Sequence, residues 1–133
     1  MKFMLDTNIC IYIIKNKPVK VLNKFKIIAP EEVCISSITS SELWYGVYKS
    51  KSFERNAIAL EQFLTPLTVM VFDNSASKSY GKIRAELEKK GKIIGGMDLH
   101  IAAHALSLGL TLVTNNTKEF RRIKELSVSN WTL

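Results

Sequence analysis

Short apolar runs alternate with longer stretches of helical periodicity from one end of the chain to the other, and no segment repeats. Residues 3–5 are apolar and give way to Asp6-Thr7-Asn8, which predicts a strand running into a helix cap. Helix continues over residues 9–15. Pro18 opens another, with Val19, Leu22 and Phe25 at helical spacing and Pro30 closing the region. Val33-Cys34-Ile35 predicts a second strand, and Thr39-Ser40-Ser41-Glu42 has the form of a capping box that starts a helix over about residues 40–49. Residues 54–64 form an amphipathic helix, and 68–72 a third strand. The longest helix follows Asn74, where Ala76, Tyr80, Ile83 and Leu87 share a face and Lys89-Lys90-Gly91 is the stop. Gly95-Gly96 breaks the chain before a helix over residues 98–108. A fourth strand is expected at 110–113, a short helix at 116–122 and an edge strand within 126–131.

Strands separated by helices, with no hairpin signal, predict an α/β fold whose mostly parallel sheet is covered on both faces. In such open sheets ligands sit at the carboxyl ends of the strands, near the point where the strand order reverses. At 133 residues and 47% apolar composition, one domain over 1–133 is the expectation, with a core that needs no disulfide or metal staple. Cys10 and Cys34 form no CxxC pair and read as buried thiols. No apolar run approaches the roughly 20 residues of a membrane span, and Asp6 interrupts any leader-like stretch, so the expected location is cytoplasmic. The net charge of +7 points to a polyanion as partner. No basic amphipathic helix suited to a lipid surface accompanies it, so nucleic acid is favoured over membrane.

Against that excess the chain has only three aspartates, and two of them occupy informative positions. Asp6 ends the first strand and Asp98 opens the helix after the glycine pair. Glu42 lies in the helix after the second strand, and Glu119 lies just beyond the fourth, after Thr114-Asn115-Asn116. Each has a structural reading: Asp6 as a cap, Glu42 and Glu119 as the third residue of capping boxes, Asp98 as a complement to a helix dipole. On a helical wheel the small residues Ala102 and Ala105 lie beside Asp98, leaving room for an ion or a backbone to approach. His100 and His104 share another face, without the glutamate or third ligand of a zinc site, and read as solvent-facing. If the four acids converge, their repulsion raises their pKa values, and a divalent cation resolves the conflict. An all-oxygen set selects a hard ion, Mg²⁺ or Mn²⁺, suited to activating water against a phosphate ester. Acids gathered inside a basic protein are what a nuclease needs, because lysines and arginines hold the phosphate backbone around the metal.

Phe3-Met4-Leu5-Asp6-Thr7-Asn8, Ile35-Ser36-Ser37-Ile38-Thr39 leading to Glu42, the stretch from Asp98 to Ala105, and Thr114-Asn115-Asn116 with Glu119-Phe120 closely resemble the PIN-domain ribonuclease toxins of VapBC toxin–antitoxin modules. The resemblance runs over essentially the whole chain. It implies a three-layer α/β/α PIN-like domain, an Mg²⁺- or Mn²⁺-dependent endoribonuclease, and a VapB-like antitoxin whose arm blocks the acidic site. Asp6 and Asp98 match the metal-binding acids, Glu42 a further acidic position, and Glu119 the place where the last acid is usually Asp. The longer side chain there favours contact through water. Thr7, Thr114 and Asn116 match positions that orient the site. The likeness also implies structured RNA such as tRNA as substrate, a homodimer within a larger toxin–antitoxin assembly, and operator DNA contacted only through the antitoxin. Residues 9–14, apolar around most of their helix, are then either fully buried or a dimer face. Trp44, Tyr45 and Tyr48 are either core residues or a seat for the antitoxin, and Lys89, Lys90 and Lys92 are either a solvated helix end or an RNA contact. Two other readings compete. An aspartyl-phosphate phosphatase needs a second Asp where this chain has Asn8, and a non-catalytic basic nucleic-acid-binding module needs only the charge, with the acids as caps.

Overall fold

A computed structural model describes all residues, 1–133. The elements are β1 (Phe3–Leu5), α1 (Thr7–Lys15), α2 (Val19–Ile27), β2 (Val33–Ser36), α3 (Ser37–Lys49), α4 (Phe53–Leu64), β3 (Thr68–Met70), α5 (Asn74–Lys90), α6 (Gly96–Ser107), β4 (Thr111–Val113), α7 (Thr117–Phe120) and β5 (Val128–Ser129). The five strands form one sheet in the order β3-β2-β1-β4-β5. Every pairing is parallel. The first strand is therefore central: the chain builds outward through β2 and β3, then crosses back to add β4 and β5 on the other side. The reversal falls between β1 and β4, where Leu5 pairs with Val113.

Alternation along the strands divides the core into two. Met4, Cys34 and Leu112 face the layer containing α5 and α6, in a cluster of 15 buried residues. Leu5, Val33, Ile35 and Val113 face α1, α3 and α4, in a cluster of 14. The near equality shows that both faces are covered, which gives the three-layer α/β/α arrangement expected for a parallel sheet. Cys10 and Cys34 are free and buried.

Several boundaries differ from the sequence pattern, three of them for a visible reason. β3 stops at Met70 because the Phe72 amide leaves the ladder and donates to the Ser37 hydroxyl at 3.0 Å. β5 shrinks to two residues because the chain turns just beyond it, with Asn130 Oδ1 accepting from the Thr132 amide at 2.9 Å. α3 starts three residues before the expected position, and its cap is Ser36, whose Oγ accepts from the Ile38 amide at 3.1 Å. The capping box at Thr39 is not formed. Thr39 is instead buried inside the helix, and Glu42 is released from any capping role.

Candidate active site

β1 carries Asp6 to the carboxyl edge of the sheet at the reversal point. Its amide still pairs with the Val113 carbonyl at 3.0 Å, while its Oδ1 accepts from the Ile9 amide at 2.9 Å and caps α1. The cap reading is thus geometrically correct, yet the residue is only 4% exposed. Burial pushes its carboxyl up to about 6; hydrogen bonds from Thr114 and the Ile9 amide oppose that rise, and Asp98 and Glu42 reinforce it by repulsion.

Glu42, in the second turn of α3, reaches across to the start of α1, where the Thr7 hydroxyl donates to its Oε1 at 2.6 Å. The Thr39 hydroxyl lies 3.4 Å from the same Thr7 oxygen. Asp98 stands half-buried in the first turn of α6. Its carboxyl is raised chiefly by burial and then by Glu119 and Glu42, and no hydrogen bond or cation offsets the rise. Beyond β4, the buried Thr114 accepts through Oγ1 from the Asn116 amide at 3.0 Å. Asn116 Nδ2 donates to Glu119 Oε2 at 2.7 Å, and Glu119 Oε1 accepts from the Gly95 amide at 3.2 Å. Glu119 therefore fastens the loop after β4 to the turn that launches α6. Asn116 makes no side-chain cap bond, so the second expected capping box is not formed either.

Charge compensation is what the cluster lacks. The chain's ion pairs join Glu32 to the N-terminus and Lys2, and Arg84 to Glu88. None reaches Asp6, Glu42, Asp98 or Glu119, although the chain carries 19 lysines and arginines. As the side chains stand, no three His, Cys, Asp or Glu residues are drawn together tightly enough to hold an ion. The physical reason is visible in the hydrogen bonds: Glu42 and Glu119 are tied to Thr7, Asn116 and Gly95, and Asp6 to the Ile9 amide, leaving Asp98 as the one acid of the four without a hydrogen bond. All-oxygen donors with raised pKa values and no cation are the donor chemistry of a hard divalent ion, and the residues present fit one.

Two polar residues behind the site escaped the sequence pattern. His104 is 1% exposed, with Nδ1 at 2.8 Å from Ser36 Oγ and its ring edge-on to Phe72. Burial lowers its pKa. It stitches the helix bearing Asp98 to the strand that leads to Glu42. His100 stacks on Tyr80 at 4.0 Å between ring centroids, and its Nδ1 hydrogen-bonds the Gly96 carbonyl at 2.7 Å. His100 is half-buried, but for His104 the expectation of a solvent-facing histidine is wrong. So is that of open space beside Asp98, because Ala102 and Ala105 are fully buried against the sheet. The missed signal was the run Ile101-Ala102-Ala103 with Ala105: a helix apolar on all sides is buried on all sides, and so is a histidine within it. Elsewhere Tyr45 and Tyr48 are exposed, Trp44 is half-buried, and Lys89, Lys90 and Lys92 are solvated. Within α1, Ile9, Cys10 and Ile13 are buried and Ile11, Tyr12 and Ile14 half-buried.

A model of the PIN domain matches residues 3–126. The chain is 49% identical over 131 residues to Ribonuclease VapC2 of Haemophilus influenzae, covering 98% of each. It is 47% identical over 132 residues to the tRNA(fMet)-specific endonuclease VapC of Shigella flexneri, covering 99% of each. Among solved structures, VapBC2 from Rickettsia felis bound to a promoter DNA fragment superposes with a TM-score of 0.92 at 47% identity, over 98% of this chain and 99% of that one. DNA-bound VapBC from Salmonella typhimurium gives 0.93 at 47% identity, over 98% of both.

Proposed function

The chain belongs to the PIN-domain family, as a relative of its VapC ribonucleases, and from that premise we propose that it is a divalent-metal-dependent endoribonuclease, the toxin of a type II toxin–antitoxin module. The observation that carries the reading is the gathering of Asp6, Glu42, Asp98 and Glu119 at the reversal point of the sheet with no cation paired to any of them. Acids spent on capping or surface complementarity gain nothing from mutual burial. The whole chain, 1–133, acts as a single PIN-like domain.

Asp6 and Asp98 are the residues to hold Mg²⁺ or Mn²⁺, which supplies a bound water of lowered pKa and charge neutralisation at the phosphodiester when present. The chain's own groups set the geometry. Thr7 fixes the Glu42 carboxylate by donating to Oε1, so the other oxygen is free to take a hydrogen bond from water or substrate. Thr114, beside Asp6, favours its charged form. Asn116 holds Glu119 against Gly95, which keeps this longer acid at one distance from Asp98 and lets it orient water. Lysines and arginines outside the cluster hold the phosphate backbone.

The substrate is structured RNA, with tRNA first among candidates because the Shigella flexneri relative is named a tRNA(fMet)-specific endonuclease. A VapB-like antitoxin restrains the enzyme, and a homodimer within a larger assembly contacts operator DNA through that antitoxin, as the DNA-bound VapBC neighbours suggest. Such a protein works in the cytoplasm; no helix is long and apolar enough to cross a membrane. The test is RNA-end sequencing after brief induction, wild type against Asp98→Asn. New ends are expected only with the wild type, and in vitro they vanish on chelation with EDTA. Identical ends from both would return the protein to the reading of a non-catalytic nucleic-acid-binding module.

A further inference from the structure

We propose that Tyr45, with Gly46 and Lys49 beside it, is a stacking platform for an unpaired RNA nucleotide adjacent to the one whose phosphodiester meets the acids. The proposal rests on the ribonuclease reading above and assigns part of that enzyme's substrate site.

α3 buries one face, through Thr39, Leu43 and Val47. At about 100° per residue, Tyr45 lies on the opposite side, while Glu42 and Lys49 are within about 20° of each other, two turns and roughly 10 Å apart along the axis. One outward stripe therefore begins at an acid of the site and ends at a cation, with a phenol ring between them. Tyr45 is 66% exposed. An aromatic ring so placed holds none of the core together and leaves a flat surface open to solvent. Lys49 Nζ rests over that ring, 5.0 Å from its centroid. Gly46 completes the stripe between Glu42 and Lys49, and a Cβ built there meets nothing within 4 Å. The missing side chain leaves the surface between Glu42 and Lys49 uncovered.

The occupant follows from this chemistry. A π-face beside a mobile cation is what single-stranded nucleic acid uses: the base lies on the ring and the ammonium moves to a phosphate. A protein partner asks for something else, since the cores of protein interfaces are enriched in aromatics but depleted of lysine. The same helix offers that alternative on its far flank, where Trp44 packs 6.3 Å from Tyr48 and Tyr48 lies 5.0 Å from Phe53, ring centroid to ring centroid. Tyr45 stands outside that cluster and on the side of Glu42.

The experiment measures binding of a fluorescein-labelled oligouridylate to the full-length Asp98→Asn protein by fluorescence anisotropy, with heparin as a polyanion that has no bases. Tyr45→Ala weakens oligouridylate binding about tenfold, the loss expected for one stacked base, and leaves heparin binding unchanged. Tyr45→Trp retains the affinity. Lys49→Gln lowers the slope of log affinity against log salt by about one, which Tyr45→Ala does not. In the otherwise wild-type enzyme Tyr45→Ala raises KM and leaves kcat. Circular dichroism melts of each variant report folding, which an exposed ring does not control. Undiminished oligouridylate binding by Tyr45→Ala overturns the proposal, as does an equal loss toward heparin. Loss of antitoxin co-purification with RNA affinity intact also overturns it and gives the ring to the protein partner. Failure of the underlying reading looks different: the wild type and Asp98→Asn would then leave identical RNA ends, whatever Tyr45 does.

Discussion

Asp6 and Asp73 perform the same local task with different consequences. Each caps a helix by accepting from the amide three residues on, Asp6 from Ile9 at 2.9 Å and Asp73 from Ala76 at 3.0 Å. Asp73 does so in solvent, at the start of α5. Asp6 does so buried, beside Asp98 and Glu42, and its carboxyl rises to about 6. Cap geometry therefore does not distinguish an acid spent on structure from the one proposed to act in the site. Burial among like charges does, because nothing in helix capping requires the desolvation that Asp6 undergoes.

Asparagine caps as well as aspartate, so paired substitutions separate the two roles. The largest effect is on turnover. Asp6→Asn lowers the initial rate of RNA cleavage by at least about a hundredfold, the scale of losing a principal electrostatic group, whereas Asp73→Asn cleaves at the wild-type rate; equal losses would erase the comparison. Next comes stability against pH in EDTA. The folded-state value of about 6 lies above the ordinary 3.8, so the folded protein binds this proton more tightly, and the group's contribution falls as pH rises from about 4 through about 6. By pH 7 the burden is about 3 kcal/mol. In urea titrations Asp6→Asn is expected to be more stable than the wild type at pH 7, by a margin that closes toward pH 4, with no such trend for Asp73→Asn. A divalent ion removes the same burden: Mg²⁺ at a hundred times its Kd raises the stability of the wild type by about 2.7 kcal/mol and that of Asp6→Asn far less, read as a shift in Tm. The smallest effect belongs to Thr7→Val, which frees Glu42 and slows cleavage about tenfold without the pH signature of Asp6.

How much of this was legible in the sequence follows from the distance between interacting residues. The parallel sheet, the strand ends carrying Asp6 and Thr114, and the glycine turn before Asp98 are written in local periodicity and punctuation. Glu42 was visible as a residue but misassigned in its contact: the box with Thr39 lies three residues away, whereas its partner Thr7 lies thirty-five residues away. Glu119 repeats the pattern, bound to Gly95 across twenty-four positions. His104 was obscured similarly, since its partner Ser36 belongs to β2 and only the fold brings them together. The resemblance added what periodicity could not, the expectation that four dispersed motifs belong to one site.

The position of β1 at the centre of the sheet also sets when the site can exist. Phe3 pairs with Val33 on one side but waits for Thr111 on the other, and Asp6 waits for the Val113 carbonyl and the Thr114 hydroxyl. At about 5 to 20 residues per second of synthesis, roughly 5 to 20 s separate the first acid from its last neighbours. A ribosome carrying this chain therefore holds an unassembled site until β4 and the residues just after it have been made, more than a hundred residues after Asp6.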